Sequence, residues 1–247
     1  KKENTAMMDF TKIKDKKAAG KCFDYAILPK ETTEAEIRMH CKKAIEYNCK
    51  AFCYSSDYWT PVVKEELAGT DLLIGAAIGF PFGQQTNETK IFETENAVRL
   101  GATVLDCCMN VGDLKDKKYD KVLQDFKDYV KAAQGVMTKM IIETCYLTPE
   151  EITTASKLVA EAGIDWVKSS SGQYVGTTLD ECLLMSEAVK GSACKVKVSG
   201  VKFPRPQNAF AFLLYGGAEL IGTRAAPEIL DHFDKFREIG MIPAYQG

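Results

Sequence analysis

The feature of this sequence that most limits its fold is a regular alternation of short apolar runs and segments with helical periodicity. From Phe23 onward, eight apolar runs of strand length are each followed by such a helical segment. Strands that alternate with helices pair in parallel, and eight units in a chain of 247 residues predict a closed (β/α)8 barrel, the TIM barrel. The predicted strands are 23–28, 50–54, 72–78, 104–108, 139–143, 166–168, 195–199 and 219–222. The predicted helices are 32–48, 61–67, 87–100, 119–134, 149–163, 179–189, 207–215 and 227–239.

An open doubly wound sheet is the main alternative for this alternation. Such a sheet usually carries a glycine-rich dinucleotide-binding segment after its first strand, and none follows Leu28. No linker rich in Pro, Gly or Ser divides the chain, so we expect residues 1–247 to form one α/β domain. Residues 1–20 are lysine-rich with apolar residues at helical spacing, and they predict an extra N-terminal helix that covers one end of the domain.

The composition excludes several classes of partner. Hydrophobic residues make up 46% of the chain, enough for a large core, and the net charge is only −2. We therefore expect no general attraction to nucleic acid or to an anionic membrane, and no apolar run is long enough to span a bilayer. Nine cysteines, irregularly spaced and without a CxxC pair, are typical of core residues in a reducing compartment, so a cytoplasmic location is predicted.

Only two histidines are present, His40 and His232. Both lie in predicted helices beside apolar neighbours, which favours structural roles. This pattern argues against a zinc site built on histidine and against Ser-His-Asp catalysis. No metal site is therefore predicted.

Three ionisable side chains lie in or at the end of apolar runs, where a charge loses hydration. Lys168 closes one run, Lys197 lies within the next, and Asp106 ends an earlier one. In this barrel, catalytic groups lie at the C-terminal ends of strands, and neighbouring strands are about 4.8 Å apart. Two adjacent lysines repel each other, which lowers the pKa of at least one. Two lysines and a carboxylate are the components of a Schiff-base enzyme, whereas lysines that snorkel at strand ends are the structural alternative.

Several motifs, in order along the chain, resemble those of the deoxyribose-phosphate aldolases, a family of class I aldolases. The resemblance extends from about residue 24 to residue 226, and each motif lies at a predicted barrel strand or the helix that follows it. The matching segments are 78–83 (IGFPFG), 86–90 (TNETK), 95–101, 105–106 with 109–112, 141–144 (IIET) and 167–172 (VKSSSG).

The resemblance implies cleavage of 2-deoxy-D-ribose 5-phosphate to D-glyceraldehyde 3-phosphate and acetaldehyde. It implies that Lys168 is the Schiff-base lysine and that Lys197 is a second lysine that tunes the first. Asp106 corresponds to the aspartate of the proton relay, and Asp24 to a further acid of the same network. No metal or organic cofactor is implied, because the iminium itself accepts electrons. The implied partner is a small phosphorylated sugar.

The expected phosphate end of the site departs from the family pattern at two positions. The family usually has two adjacent glycines after the second lysine's strand, whereas here Gly200 is followed by Val201. The family usually has small hydroxyl residues after the last strand's glycine, whereas here Arg224 follows Thr223. Arg224 either binds the phosphate through two hydrogen bonds or fills the pocket. The expected substrate- and phosphate-binding residues are Ser171, Gly172, Gly200, Gly222, Thr223 and Arg224.

Three functional hypotheses follow from these observations. An active aldolase on a phosphorylated deoxysugar is favoured, because the two lysines and the aspartate are retained. The main alternative is a weak or inactive aldolase-fold protein that acts as a scaffold and binds a protein partner, with the basic N-terminal helix as its docking surface. The third is a Schiff-base aldolase with a different substrate. A homo-oligomer, either a dimer or a tetramer, is compatible with each.

Overall fold

The computed structural model describes residues 8–247 and shows a closed barrel of eight parallel strands in the order β1 to β8. The barrel closes where β8 pairs with β1, with Phe23 opposite Ile221 and Asp24 opposite Gly222. The predicted (β/α)8 barrel is therefore confirmed. The strands are β1 Phe23–Ile27, β2 Ala51–Tyr54, β3 Leu73–Ile78, β4 Val104–Cys108, β5 Met137–Ile141, β6 Trp166–Lys168, β7 Lys195–Ser199 and β8 Leu220–Thr223.

The helices surround the strands and begin at residues whose side chains cap them. Thr33, Thr148 and Thr178 each accept a hydrogen bond from the backbone three residues on, where a glutamate bonds back to the threonine N–H. The helices are α1 Lys16–Ala19, α2 Glu34–Glu46, α3 Thr60–Glu66, α4 Asn87–Leu100, α5 Val111–Lys115, α6 Tyr119–Ala132, α7 Pro149–Glu161, α8 Leu179–Val189, α9 Arg205–Leu214, α10 Ala226–Asp231 and α11 Phe233–Glu238.

The interior of the barrel has a core of its own, separate from the larger core between strands and helices. Small side chains face inward from β2 and β4, including Ala51, Cys53 and Val104. Alternate residues of a strand face opposite sides of the sheet, so Asp24 and Asp106 face this interior from β1 and β4. The small neighbours leave room for long lysine side chains to reach these two carboxylates.

The N-terminal segment differs from the single helix predicted over residues 1–20. Residues 1–7 lie outside the described part of the chain. From residue 8, a short 3-10 turn at Phe10–Lys12 and the one-turn helix α1 are separated by extended backbone at Ile13. The segment is divided because Asp9 and Asp15 each accept a backbone N–H and so begin two separate turns.

A similar division changes the last predicted helix, 227–239. The structure has α10 and α11 instead, which meet at His232. The N–H of His232 bonds to the carbonyl of Ile229, three residues back, so the α-helical ladder is interrupted there. Between residues 8 and 247, no helix has the length and apolar character needed to cross a membrane.

Candidate active site

Five buried ionisable side chains form a continuous chain of contacts inside the barrel, and we call them the charge cluster. Lys139 hydrogen-bonds to Oδ2 of Asp24, and the same oxygen lies 2.6 Å from Nζ of Lys197. Nζ of Lys197 is also 2.8 Å from Oδ2 of Asp106, and that oxygen lies 2.6 Å from Nζ of Lys168. The cluster therefore alternates lysine and aspartate from one end to the other.

Strand register explains why these residues meet. Lys168 of β6 lies opposite Lys197 of β7, and Asp106 of β4 lies opposite Lys139 of β5. Residues opposite each other on neighbouring strands face the same side of the sheet. Because the barrel is closed, Asp24 of β1 reaches across the interior to lysines of β5 and β7. Asp106 ends an apolar run in the sequence, but it lies in the middle of β4, two residues before the strand ends.

The electrostatics of the charge cluster follow from burial and from opposite charges. Burial alone would raise the pKa of Asp106, but the neighbouring lysines outweigh burial and hold that pKa well below its usual range. The same balance lowers the pKa of Asp24. Burial alone would lower the pKa of Lys197, but the two carboxylates outweigh it and hold that pKa well above its usual range. Both aspartates and Lys197 are therefore charged at neutral pH.

The charge balance of the cluster favours one neutral lysine. Three lysines and two aspartates leave one positive charge in excess when all are ionised. An uncompensated charge is costly in a buried site. Lys139 is fully buried against Asp24, and the carboxylates hold the proton of Lys197. Lys168 borders the open cavity, so its amine can be reached by a ligand bound there.

Lys139 is a member of the site that the sequence reasoning missed. Its exposed fraction is 0%, and it lies in the apolar run 136–142. The signal was weaker than for Lys197, because Lys139 follows Thr138 and begins the predicted strand 139–143. None of the motifs that resemble the aldolase family contains Lys139.

A cavity of about 810 Å³ opens at the C-terminal ends of β1, β6, β7 and β8, and we call it the main cavity. Lys168 and Lys197 line it, so the charge cluster is accessible from outside through these two residues. All six residues expected to bind substrate or phosphate also line this cavity. They are Ser171, Gly172, Gly200, Gly222, Thr223 and Arg224.

Two glycines of the main cavity are required by close packing. Gly200 has a φ of +69°, and a Cβ there would lie 2.9 Å from the Cα of Gly176. A Cβ on Gly222 would lie 2.4 Å from Oγ of Ser199 and 2.7 Å from Cε of Lys197. A side chain at either position would displace a wall of the cavity.

Arg224 is exposed at the rim of the main cavity, beyond the end of β8. Within residues 8–247, no carboxylate oxygen lies within 4.0 Å of its guanidinium. Val201 also lines the cavity and is buried. Of the two alternatives for Arg224, the geometry favours a guanidinium available to an anionic ligand over one that pairs with an acid inside the pocket.

Glu143 is a second buried acid beside Lys168 that the sequence reasoning did not single out. It has a φ of +56°, a left-handed conformation that non-glycine residues rarely adopt. Its carboxylate accepts the N–H of Ser171 at 3.0 Å and borders a second cavity of about 360 Å³ after β3, β4 and β5. Burial raises the pKa of this carboxyl, and Ser171 and Lys168 oppose that shift only in part.

The residues that the structure describes include no cluster of three or more His, Cys, Asp or Glu side chains suited to a metal ion. Burial raises the pKa of many of the cysteine thiols, as for Cys53 and Cys107, to about 12 in both cases. These thiols are therefore protonated at neutral pH. Most of the cysteines are buried, as expected of core residues.

The sequence of this chain is similar to those of known aldolases. A family model described as DeoC/LacD family aldolase matches residues 5–209. The deoxyribose-phosphate aldolase 1 of Mesoplasma florum is 39% identical over 212 residues, 85% of this chain and 94% of that protein. The deoxyribose-phosphate aldolase of Clostridium tetani is 38% identical over 212 residues, 85% of this chain and 97% of that protein.

Solved structures give a consistent result. The aldolase QR15 superposes with a TM-score of 0.80 and 32% identity, covering 89% of this chain and 97% of that one. A tetrameric deoxyribose phosphate aldolase from Aeropyrum pernix superposes with a TM-score of 0.80 over 90% of this chain and 93% of that one. Its identity is 23%, so this second likeness shows the shared fold alone.

Proposed function

This chain belongs to the DeoC/LacD family of aldolases, and we propose that it cleaves 2-deoxy-D-ribose 5-phosphate to D-glyceraldehyde 3-phosphate and acetaldehyde through a Schiff base on Lys168. The observation that carries this proposal is the position of Lys168. Its amine borders the main cavity and shares one carboxylate oxygen of Asp106 with the ammonium of Lys197. The names of the curated relatives support the choice of substrate.

The reaction begins when neutral Lys168 attacks C1 of the open-chain sugar, and loss of water gives an iminium. The C3 hydroxyl then loses its proton, the C2–C3 bond breaks, and its electron pair moves into the iminium to give an enamine. D-Glyceraldehyde 3-phosphate leaves. Protonation of the enamine at C2, followed by addition of water to the iminium, releases acetaldehyde and restores the amine. The iminium is the electron sink, so no further cofactor takes part.

Asp106 and Lys197 assist the proton transfers of this reaction. Oδ2 of Asp106 contacts Nζ of both Lys168 and Lys197 and provides a path for a proton between them. Lys197 adds a positive charge beside Lys168, which favours the neutral amine needed for attack. Asp24 accepts hydrogen bonds from Lys197 and Lys139. Its role in the relay is to position Lys197 and to keep it protonated.

The phosphate end of the substrate lies at the rim after β7 and β8, the usual phosphate site of this barrel. There Gly200 and Gly222 provide close approach, and Thr223 and Arg224 provide a hydroxyl and a guanidinium. Ser171 and Gly172 complete the wall beside Lys168. A guanidinium can replace contacts that the family usually makes with a glycine N–H and small hydroxyls.

Borohydride trapping tests this proposal directly. Wild-type protein is incubated with 2-deoxy-D-ribose 5-phosphate and sodium borohydride, and peptides are mapped by mass spectrometry. We expect a reduced adduct on Lys168, and none in Lys168→Met. Lys195→Met, a β7 lysine paired with Glu219, is the matched control and should label normally.

Other results of the same experiment would redirect the assignment. An adduct on Lys197 would exchange the roles of the two lysines. The absence of any adduct would favour the alternative of a non-catalytic scaffold. An adduct formed only with other aldehydes or sugars would favour a Schiff-base aldolase with a different substrate. The predicted homo-oligomer, a dimer or a tetramer, stays a prediction that sedimentation equilibrium can test.

A further inference from the structure

The hydroxyl of Ser199 is a buried polar group without a hydrogen-bond partner among residues 8–247. Ser199 is 4% exposed and lines the main cavity. Both backbone polar groups of Ser199 are hydrogen-bonded. Its N–H donates to Oγ of Ser169 at 3.0 Å, and its carbonyl accepts from the hydroxyl of Thr177. Only the side-chain hydroxyl is left to bind something else, and buried hydroxyls are normally paired.

The side chain of Ser199 faces the interior of the barrel. Ser199 and Lys197 are two residues apart on β7, so their side chains lie on the same side of the sheet. Oγ of Ser199 and Cε of Lys197 both approach the inner side of Gly222, within 2.4 Å and 2.7 Å of the place a Cβ would take. The hydroxyl therefore lies beside the catalytic lysines rather than against the surrounding helices.

The position of Ser199 along β7 narrows the choice of substrate atom that its hydroxyl can bind. Two residues along a strand span about 6.6 Å, so Ser199 lies one level nearer the rim than Lys197. Under the proposed function, C1 is attached to Lys168 and the phosphate on C5 lies at the rim near Arg224. The C3 oxygen gives up its proton at the level of the charge cluster. The C4 hydroxyl lies between C3 and the phosphate, as Ser199 lies between Lys197 and the rim.

We propose that Ser199 hydrogen-bonds the C4 hydroxyl of the sugar phosphate and so selects for a 2-hydroxyaldehyde as the cleavage product. This inference rests on the proposed function and assigns a specificity-determining residue to it. A hydroxyl both donates and accepts, so it suits a substrate hydroxyl better than a phosphate or a carbonyl. A site that hydrogen-bonds a substrate hydroxyl discriminates against the analogue that lacks it.

The test uses the reaction in the direction of synthesis, with acetaldehyde as the donor. Two acceptors are compared, D-glyceraldehyde 3-phosphate and 3-oxopropyl phosphate, which differ only in the hydroxyl beside the aldehyde. We expect Ser199→Ala to lower kcat/KM for D-glyceraldehyde 3-phosphate on the order of tenfold, with 3-oxopropyl phosphate changed by less than about twofold. Ser199→Gly should behave in the same way.

Ser156→Ala is the matched control. Ser156 is also buried, but its hydroxyl donates to the carbonyl of Ile152 within α7, away from the cavity. Ser156→Ala should leave the ratio of kcat/KM for the two acceptors unchanged. Equal losses with both acceptors in Ser199→Ala, or no loss with either, would overturn the role of Ser199. A wild-type protein inactive with both acceptors would instead overturn the proposed function, and the assignment of Ser199 with it.

Discussion

Lys139 and Asp24 form a hydrogen-bonded ion pair in the interior of the barrel, and the side chains of both residues are completely buried. The pair lies 115 residues apart in sequence and is connected to the reacting lysine through Lys197 and Asp106. The pair therefore contributes one positive and one negative charge to a cluster of three lysines and two aspartates. The charges of that cluster balance only when one lysine is neutral. The charge on Lys139 is what leaves the cluster with an excess positive charge when Lys168 is protonated.

Changing Lys139 to methionine should move the pH dependence of catalysis. Lys139→Met keeps an unbranched, apolar side chain but removes a positive charge, so the cluster is balanced when Lys168 keeps its proton. We expect activity at neutral pH to fall and the pH–rate profile to shift to higher pH. Steady-state kinetics from pH 6 to 10, with Lys195→Met as the control, would measure this shift. A uniform loss of rate at every pH would mean that Lys139 acts only on stability.

The stability of the fold should fall when the pH is lowered below the ordinary aspartate pKa of 3.8. The pKa values of Asp24 and Asp106 are lowered in the folded protein, so the folded state binds fewer protons than the unfolded state. The two ionised carboxylates stabilise the fold above the ordinary aspartate pKa. This stabilisation is lost as the pH falls toward the lowered pKa values of Asp24 and Asp106. Urea unfolding between pH 7 and pH 3 should show this loss.

The matched variants for the acid prediction are Asp24→Asn and Asp234→Asn. Asp24→Asn removes one buried carboxylate from two lysines, which should cost about 3–5 kcal/mol at pH 7 and flatten the decline in acid. Asp234 is exposed on α11, so its variant should follow the wild type. If the free energy of unfolding of Asp24→Asn declined in acid as it does in the wild type, Asp24 would not be a source of the acid sensitivity.

Removing the carboxylate of Glu143 should loosen the loop that follows Lys168. The N–H of Thr144 bonds to the carbonyl of Ser169, and the carboxylate of Glu143 bonds to the N–H of Ser171, so the loop is held at two points. We expect Glu143→Asn to lower kcat/KM by about tenfold, because its shorter side chain cannot reach Ser171. Hydrogen exchange of residues 169–172 should increase in the same variant.

Glu143→Gln is the control that separates the hydrogen bond from the backbone. Glutamine keeps an acceptor oxygen at the same reach, so most activity should be retained. Asparagine tolerates a positive φ better than glutamate does, so its variant should not lose stability through backbone strain. Full activity in Glu143→Asn would show that the contact with Ser171 is not needed for catalysis.

Arg224→Ala should weaken binding of the phosphorylated substrate. A guanidinium–phosphate pair contributes on the order of 1.5–3 kcal/mol, so KM for 2-deoxy-D-ribose 5-phosphate should rise about tenfold or more. Unphosphorylated deoxyribose should be affected less, and Arg99→Ala, on the surface of α4, should change neither. The converse result is a gain in kcat/KM from Arg224→Ser combined with Val201→Gly. That gain would show that Arg224 obstructs the phosphate site.

The sequence by itself determined the barrel and much of the main cavity. Apolar runs of strand length and capped helical segments are local features, and their alternation leaves few ways to bury the apolar surface. Adjacent strands also bring Lys168 beside Lys197, so this pair was predictable from chain order. The residues after β6, β7 and β8 were placed together for the same reason, because the C-terminal ends of parallel strands meet at one end of a barrel.

Only the tertiary structure decided how the polar groups inside the barrel are paired. Asp24 meets Lys139 and Lys197 across 115 and 173 residues of sequence, and those contacts depend on the stagger of strands when the barrel closes. The left-handed backbone of Glu143 and the unpaired hydroxyl of Ser199 are likewise set by neighbours distant in sequence. Hydrophobic periodicity specifies which face of a strand is buried, whereas a hydrogen-bond partner is specified only by three-dimensional position.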